Sequence, residues 1–303
     1  MKLRLLVVTA LALLVATPAV ADKLKVVASF SILGDISARI AGDRVEHRTL
    51  VGPDSDAHVF EPTPADARAV AQAQIFFING LNFERWAERL VKSTNSRAKI
   101  VVATAGIKPL PFRGAGSNVE TAGGSRAADP HAWQDVRNAM LYAENITRAL
   151  AAADKPNDEF YKANAVAYFD ELRKLDSEIR ASLTAIPAGR RRVITTHGAF
   201  AYFGQAYGVK FIAPLGTSTD EQASAKEVAA LISQIRREKV TAIFVENVAD
   251  PRMVRQIARE TGVKLGGKLY SDALSTKKGP APTYVAMMRH NAKLLTEAMA
   301  PGF

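Results

Sequence analysis

The feature that most constrains the fold is an alternation of strand-like and helix-like segments, which occurs twice. Short apolar runs rich in β-branched residues are each followed by a longer segment with apolar residues at helical spacing. Strands are predicted at 24–29, 45–51, 75–79, 100–103, 193–196, 209–212, 242–246 and 268–271. Helices are predicted at 32–41, 64–73, 83–92, 132–152, 223–238, 251–261 and 282–299. Because such alternation is typical of mainly parallel sheets flanked by helices, we predict an α/β protein with two lobes.

A long helix is predicted between the two series. Residues 157–183 contain no Gly or Pro, and apolar residues recur there at three- and four-residue steps. At ~1.5 Å per residue this helix is roughly 40 Å long, enough to run along both lobes. We therefore expect an N-terminal lobe at 22–153, a rigid linking helix at 154–186 and a C-terminal lobe at 187–303.

Residues 1–21 have the three-part pattern of a secretory signal peptide. Lys2 and Arg4 precede an apolar run at 5–16, and small residues lead to a cleavage site after Ala21. The run is too short to span a bilayer. The chain contains no cysteine, so the sequence offers neither a lipid-attachment residue nor a disulfide. We expect a protein exported to a bacterial periplasm.

The formal net charge is +10, but the basic residues are scattered through helical patterns. The densest cluster, residues 190–192, leads into a predicted strand. No basic stripe interleaved with aromatic residues is present, which argues against a nucleic-acid-binding protein. Attraction to an acidic partner or an anionic membrane surface stays open.

Three of the five histidines stand at junctions between predicted elements. His58 lies between a strand and a helix, His131 directly precedes a helix, and His197 follows a strand. Asp272 occupies the same kind of junction. Ligands of parallel α/β folds gather at strand C-termini and helix N-termini. The remaining histidines, His47 in a strand and His290 in the last helix, we interpret as structural or solvated.

Each of the four junction residues alone has an ordinary explanation as a capping or turn residue. Together, three imidazoles and one carboxylate at comparable positions are hard to explain as caps. The same four side chains form a closed tetrahedral set for a borderline divalent ion. The sequence therefore favours a metal site.

Five ordered motifs carry a family resemblance. They are HVFEP at 58–62, DPHAW at 129–133, THGAFAYF at 196–203, SDALS at 271–275 and APTYVAMMRHN at 281–291. Over essentially the whole exported chain they resemble the cluster A-I solute-binding proteins of ABC transporters, which bind zinc or manganese. The resemblance implies two α/β lobes joined by a long helix, with the metal in the cleft. It makes His58, His131, His197 and Asp272 the ligands, two from each lobe.

The resemblance also implies a metal preference. Manganese-type members usually carry glutamate at the position of His197, whereas imidazole suits zinc better than a site richer in carboxylate. We therefore expect one Zn²⁺ per chain, with manganese or broad divalent binding as the alternative. Many zinc members have a histidine-rich loop where residues 111–128 of this chain contain no histidine. Capture of the ion by such a loop is thus not expected here.

A zinc hydrolase is the rival class, and Glu61 and Glu246 are its candidate bases. The fourth protein ligand would close the metal shell, however, and no HExxH helix is present. We interpret Glu61, Asp129 and Glu246 instead as acids that orient the ligands. The expected partners are a permease with its ATPase and a periplasmic metal-donating protein, and we expect a monomer.

Overall fold

The computed structural model describes residues 22–111, 128–220, 224–238 and 240–302. Two four-stranded sheets, each entirely parallel, form two lobes. The first sheet contains β1 (Leu24–Phe30), β2 (Val45–Val51), β3 (Ile75–Ile78) and β4 (Lys99–Val102). The second contains β5 (Arg192–Ile194), β6 (Lys210–Ile212), β7 (Ala242–Glu246) and β8 (Leu265–Leu269). Among the described residues, no helix is both long and apolar enough to cross a membrane.

Helices flank both sheets. They are α1 (Ser31–Ala41), α2 (Pro64–Gln72), α3 (Ala87–Thr94), α4 (Val136–Ala153), α5 (Asp158–Thr184), α6 (Ala201–Tyr207), α7 (Ala225–Glu238), α8 (Arg252–Thr261) and α9 (Tyr284–Met299). The strand orders, β2-β1-β3-β4 and β6-β5-β7-β8, are equivalent in the two lobes. Since all strands of a sheet run the same way, the loops after them collect at one edge, where parallel α/β folds bind ligands.

The long helix α5 links the lobes. It has 27 residues, and its buried side recurs at helical spacing through Tyr168, Leu172, Leu175 and Ile179. It packs against α1 and α4 of the first lobe and against α6 and α9, which follow it in the chain. The predicted fold class, two parallel-sheet lobes with a long helix between them, is therefore confirmed. The exact lobe boundaries remain predictions.

Several element boundaries differ from the sequence prediction. The helix expected from residue 132 is interrupted, because Asp135 ends a 3₁₀ turn at Ala132–Gln134 and its side chain accepts the N–H of Arg137 as the N-cap of α4. The helix expected from residue 83 starts only at Ala87, since Leu81 and Asn82 have positive φ angles of 54° and 63° and hold the chain in a turn before it. The short helix α6 was not predicted.

The last strand also differs from the prediction. It was expected at 268–271, but β8 ends at Leu269. The N–H of Tyr270 and the carbonyl of the same residue bond the Asn291 side chain instead of a neighbouring strand. The following residues are thereby released into the loop that carries Asp272.

The basic cluster at 190–192 has a structural role. Arg190 donates to the carbonyls of Met299 and Ala300 at the C-terminal end of α9. Arg191 and Arg192 donate to carbonyls at the ends of α5 and α7, respectively. Guanidinium groups at helix C-termini satisfy unpaired carbonyls and complement the helix dipole. Local structure thus accounts for the densest charge cluster in the sequence.

Candidate metal centre

Four side chains from loops at the C-terminal ends of the strands converge in the cleft between the lobes. His58 lies after β2, His131 precedes the 3₁₀ turn before α4, His197 follows β5 and Asp272 follows β8. One nitrogen or oxygen from each lies within 4.8 Å of the others. His131, His197 and Asp272 are fully buried, and the His58 side chain is 5% exposed. The structure therefore brings together the four residues that the sequence singled out.

The carboxylate of Asp272 is central to this group. Its Oδ2 lies 2.9 Å from Nε2 of His197 and 3.3 Å from Nε2 of His58, and its Oδ1 lies 3.5 Å from Nε2 of His131. Within the described part of the chain, the Nε2 atoms of His58 and His131 are buried without a hydrogen-bond partner. Because a buried polar atom without a partner is costly, these two nitrogens fit a site whose side chains bind an ion together.

Asp129 orients His131. One oxygen of the Asp129 carboxylate accepts the backbone N–H of His131 at 2.9 Å and lies 2.7 Å from Nδ1 of the same residue. The contact at Nδ1 leaves Nε2 directed at the cluster. Carboxylates play this part in many metal sites, where they fix the orientation and the tautomer of a ligating imidazole.

Glu246, at the end of β7, holds His197 in the same manner. Its Oε1 accepts the backbone N–H groups of Thr196 and His197 at 2.6 and 2.9 Å, and its Oε2 lies 2.7 Å from Nδ1 of His197. Burial lowers the pKa of His197, but the charges of Glu246 and Asp272 together raise it well above its usual value. Burial likewise raises the pKa of Asp272, and the charges of His197 and His131 reverse this effect and hold it well below its usual range.

His58 is held through its backbone and by aromatic packing. Its N–H donates to the Asp56 carboxylate at 2.8 Å, and the Trp86 indole donates to the Ala57 carbonyl at 2.9 Å. The ring of Phe83 meets the imidazole edge-on with 4.7 Å between ring centroids. The turn before α3 thus positions an aromatic wall beside the cluster.

The loop that carries Asp272 belongs to the second lobe by sequence but is bonded to the first. Trp133 Nε1 and Gln134 Nε2 both donate to the carbonyl of Ser271 at 2.9 Å. The next bonds are from the Leu274 N–H to Ser31 Oγ at 3.0 Å and from the Asp54 N–H to the Leu274 carbonyl at 2.8 Å. Contacts between the lobes therefore fix the position of the carboxylate.

Of the other residues considered in the sequence, two contact the cluster and three do not. Asp129 and Glu246 contact imidazoles of the cluster, whereas Glu61 is exposed and no hydrogen bond or ion pair among the described residues joins it to the four. His47 bonds Ser37 at 2.8 Å and His290 bonds the Lys268 carbonyl at 3.0 Å, both outside the cluster. Most of the loop at 111–128 lies outside the described residues.

Sequence reasoning missed the roles of Trp133 and Gln134. Both belong to the DPHAWQD segment that was noted for its histidine. The available signal was a Trp and a Gln directly after a ligand candidate, since both side chains need hydrogen-bond partners when they are buried, as they are here.

Three imidazole nitrogens and a carboxylate fit a divalent transition metal ion in a tetrahedral shell. Within the described residues, this is the one group of three or more His, Cys, Asp or Glu side chains with the geometry to hold a metal ion. Fold and site together define a two-lobed metal-binding protein with its site at the sheet edges of both lobes.

Residues 26–298 match the model of the ZnuA family, described as zinc-uptake complex component A, periplasmic. The chain belongs to this family of periplasmic metal-binding proteins of ABC transporters. Its members are solute-binding proteins rather than enzymes, so family membership rules out the hydrolase alternative.

Similar proteins are named for different metals. The iron-binding protein YfeA of Yersinia pestis is 37% identical over 284 residues, covering 93% of this chain and 87% of that protein. A manganese-bound periplasmic metal-binding protein from Candidatus Liberibacter asiaticus has a TM-score of 0.82 at 32% identity, covering 92% of this chain and 100% of that one. The periplasmic zinc-binding protein TroA of Treponema pallidum has a TM-score of 0.82 at 28% identity, covering 92% and 99%.

Proposed function

We propose that this protein binds one Zn²⁺ ion with high affinity in the periplasm and delivers it to an ABC importer. His58, His131, His197 and Asp272 are the proposed ligands. The observation that carries the proposal is the convergence of these four side chains within 4.8 Å, with two buried imidazole nitrogens that lack a partner among the described residues.

The donor set supports zinc over other divalent ions. Three imidazoles and one carboxylate give a nitrogen-rich shell, which zinc accepts readily, whereas manganese prefers hard oxygen ligands and higher coordination numbers. The carboxylates behind His131 and His197 strengthen these imidazoles as donors. Four protein ligands also close the shell, which suits a carrier because no open position remains for a reacting water.

Manganese or broad divalent binding is the second candidate. It is favoured by relatives whose names specify iron and manganese and that align over most of this chain. The general affinity order of divalent metals places zinc above manganese at most nitrogen and oxygen sites, so binding strength alone does not separate the two functions. Selectivity has to be measured as a ratio.

The proposed transport function requires partner proteins. The importer is a permease with its ATPase, and the protein acts as a monomer, exported with cleavage after Ala21. Because the segment at 111–128 has no histidine to catch a scarce ion, a second periplasmic protein donates the metal. The units of this cycle are the lobes at 22–153 and 187–303 and the linking helix at 154–186.

Metal analysis of protein purified from periplasm without added metal tests the proposal. We expect close to one zinc per chain and little manganese or iron. A His131→Ala variant should lose most of this zinc, whereas His290→Gln, which alters a histidine outside the cluster, should retain it. Manganese or iron as the major ion in the wild-type protein would contradict the zinc assignment, and equal zinc in both variants would contradict the ligand assignment.

A further inference from the structure

The phenol of Tyr202 joins the two lobes next to the metal site. Tyr202 lies on α6, the helix that begins directly after the segment of His197, and is 3% exposed. Its hydroxyl donates to the backbone carbonyl of Asp129 at 3.0 Å and accepts the backbone N–H of Leu110 at 3.0 Å. A side chain of the second lobe thus satisfies two backbone groups of the first.

These two backbone groups belong to the support of His131. The Asp129 N–H donates to the Leu110 carbonyl at 2.9 Å, so the segments of Asp129 and Leu110 are bonded directly to each other. The hydroxyl of Tyr202 bonds both of them a second time. The carboxylate of the same Asp129 holds both the backbone N–H and Nδ1 of His131. A short path therefore runs from α6 through Asp129 to one of the four clustered imidazoles.

We propose that Tyr202 is a positioning residue that sets how long the metal ion stays bound, by holding Asp129 and through it His131 against the second lobe. The inference rests on the proposed metal-binding function. Tyr202 itself is not a metal ligand. Its hydroxyl fixes the separation of the His131 segment from the helix that follows His197.

The chemistry of the hydroxyl suits this role. Burial raises the pKa of Tyr202 to about 12, although the Leu110 N–H lowers it, and so the hydroxyl stays protonated and able to donate throughout the physiological pH range. Removing it leaves the Asp129 carbonyl and the Leu110 N–H without this partner. Since an unsatisfied buried group is costly, the segment would shift to regain partners and carry His131 with it.

The chain offers a matched control for this hydroxyl. Tyr207 lies on the same helix, is 5% exposed, and its hydroxyl donates to the Asp176 carboxylate of α5 at 2.9 Å. Tyr202→Phe and Tyr207→Phe each remove one buried hydroxyl and leave the ring in place. The N–H of Val136, at the start of α4, also bonds the Tyr207 hydroxyl, but only Tyr202 bonds Asp129, whose carboxylate holds His131.

The test measures zinc release from the loaded full chain into excess chelator. We expect about tenfold faster release from Tyr202→Phe, and release within about twofold of wild type from Tyr207→Phe, at comparable thermal stability of the two variants. The visible bands of the cobalt-loaded protein should shift in Tyr202→Phe and stay unchanged in Tyr207→Phe. Equal release rates for the two variants would overturn the proposal, as would a Tyr202→Phe chain that does not fold even with zinc present.

A double-mutant cycle tests whether Tyr202 affects zinc release through His131. In a His131→Ala background that is loaded at saturating zinc before the chelator is added, Tyr202→Phe should change zinc release by less than about twofold, because the residue through which it acts is gone. An undiminished effect in that background would overturn the path through His131. If the wild-type protein binds no zinc, cobalt or manganese, the proposed function fails. If it binds zinc and Tyr202→Phe releases the ion at the wild-type rate, only the role of Tyr202 fails.

Discussion

The indole of Trp133 donates a 2.9 Å hydrogen bond to the carbonyl of Ser271, the residue immediately before Asp272. Gln134 donates to the same carbonyl at the same distance. Both donors follow His131 in one 3₁₀ turn. One turn of the first lobe therefore carries one proposed ligand and holds the peptide next to another, which couples the two lobes at the metal.

This coupling predicts a cooperative loss of zinc affinity. Gln134→Leu leaves the Ser271 carbonyl with its indole donor and should weaken zinc binding about three- to tenfold. Adding Trp133→Phe removes the last of these two donors, so the double variant should lose more than the product of the single effects. Competition titrations against a chelator measure this. Gln234→Leu, which alters an amide bonded to Glu238, is the control, and purely multiplicative losses would contradict the coupling.

Glu246→Gln tests the acid behind His197. A Gln side chain can still accept the N–H groups of Thr196 and His197, but it removes the charge beside Nδ1. We expect zinc affinity to fall about 10- to 100-fold. The pKa of His197 should also fall, so fewer protons should be released on zinc binding at pH 7 than in the wild type. Calorimetry in two buffers counts the protons, and an unchanged count would show that Glu246 does not set the protonation of His197.

His197→Glu tests the origin of the metal preference. The change replaces a borderline nitrogen donor by a hard, charged oxygen and takes the shell from one carboxylate to two. Zinc should still bind, since zinc–oxygen and zinc–nitrogen distances are similar at about 2.0–2.2 Å. Competition titrations should show a smaller zinc-to-manganese affinity ratio, with the fold intact by circular dichroism. An unchanged ratio would mean that His197 is not a ligand.

Asp35 of α1 gives a pH-dependent stability that is independent of the metal. Its carboxylate accepts the N–H of Tyr284 at the start of α9 at 2.8 Å, and burial raises its pKa to about 6. Because the folded pKa lies above the unfolded value of 3.8, the contribution of Asp35 to the free energy of unfolding is fully present below about pH 4. This contribution is lost as the pH rises through about 6.

Asp35→Asn should therefore stabilise the metal-free protein at pH 8 by on the order of 2 kcal/mol and leave it unchanged at pH 3.5. The amide oxygen can still accept the Tyr284 N–H. Thermal unfolding at the two pH values measures the difference, with the exposed Asp43→Asn as the control. A gain of the same size at both values would show that the charge of Asp35 is not the cause.

The fold class and the four clustered residues were predictable because they rest on local patterns. Strand–helix alternation fixed the two parallel sheets, and ligand-type residues at strand ends identified the site. The family resemblance added the order of the lobes and the cleft. The linking helix was visible as an uninterrupted apolar periodicity.

The supports of the site were not predictable in the same way. The bonds from Trp133 and Gln134 to Ser271 cross more than 130 residues of sequence, and no local pattern encodes such a contact. Glu61 is exposed, and its role as an acid that orients a ligand stays a prediction, because position in a motif does not fix where a side chain points. The end of β8 was misplaced because an Asn291 side chain replaces a neighbouring strand.

The central claim is that His58, His131, His197 and Asp272 bind a single zinc ion. Crystals of the zinc-loaded protein, with anomalous diffraction recorded on both sides of the zinc absorption edge, test it most directly. We expect one strong anomalous peak per chain, about 2.0–2.1 Å from the Nε2 atoms of the three histidines and about 2.0–2.2 Å from the Asp272 carboxylate. A peak outside the cluster, several peaks of equal strength, or a peak that one of the four side chains does not approach would contradict it.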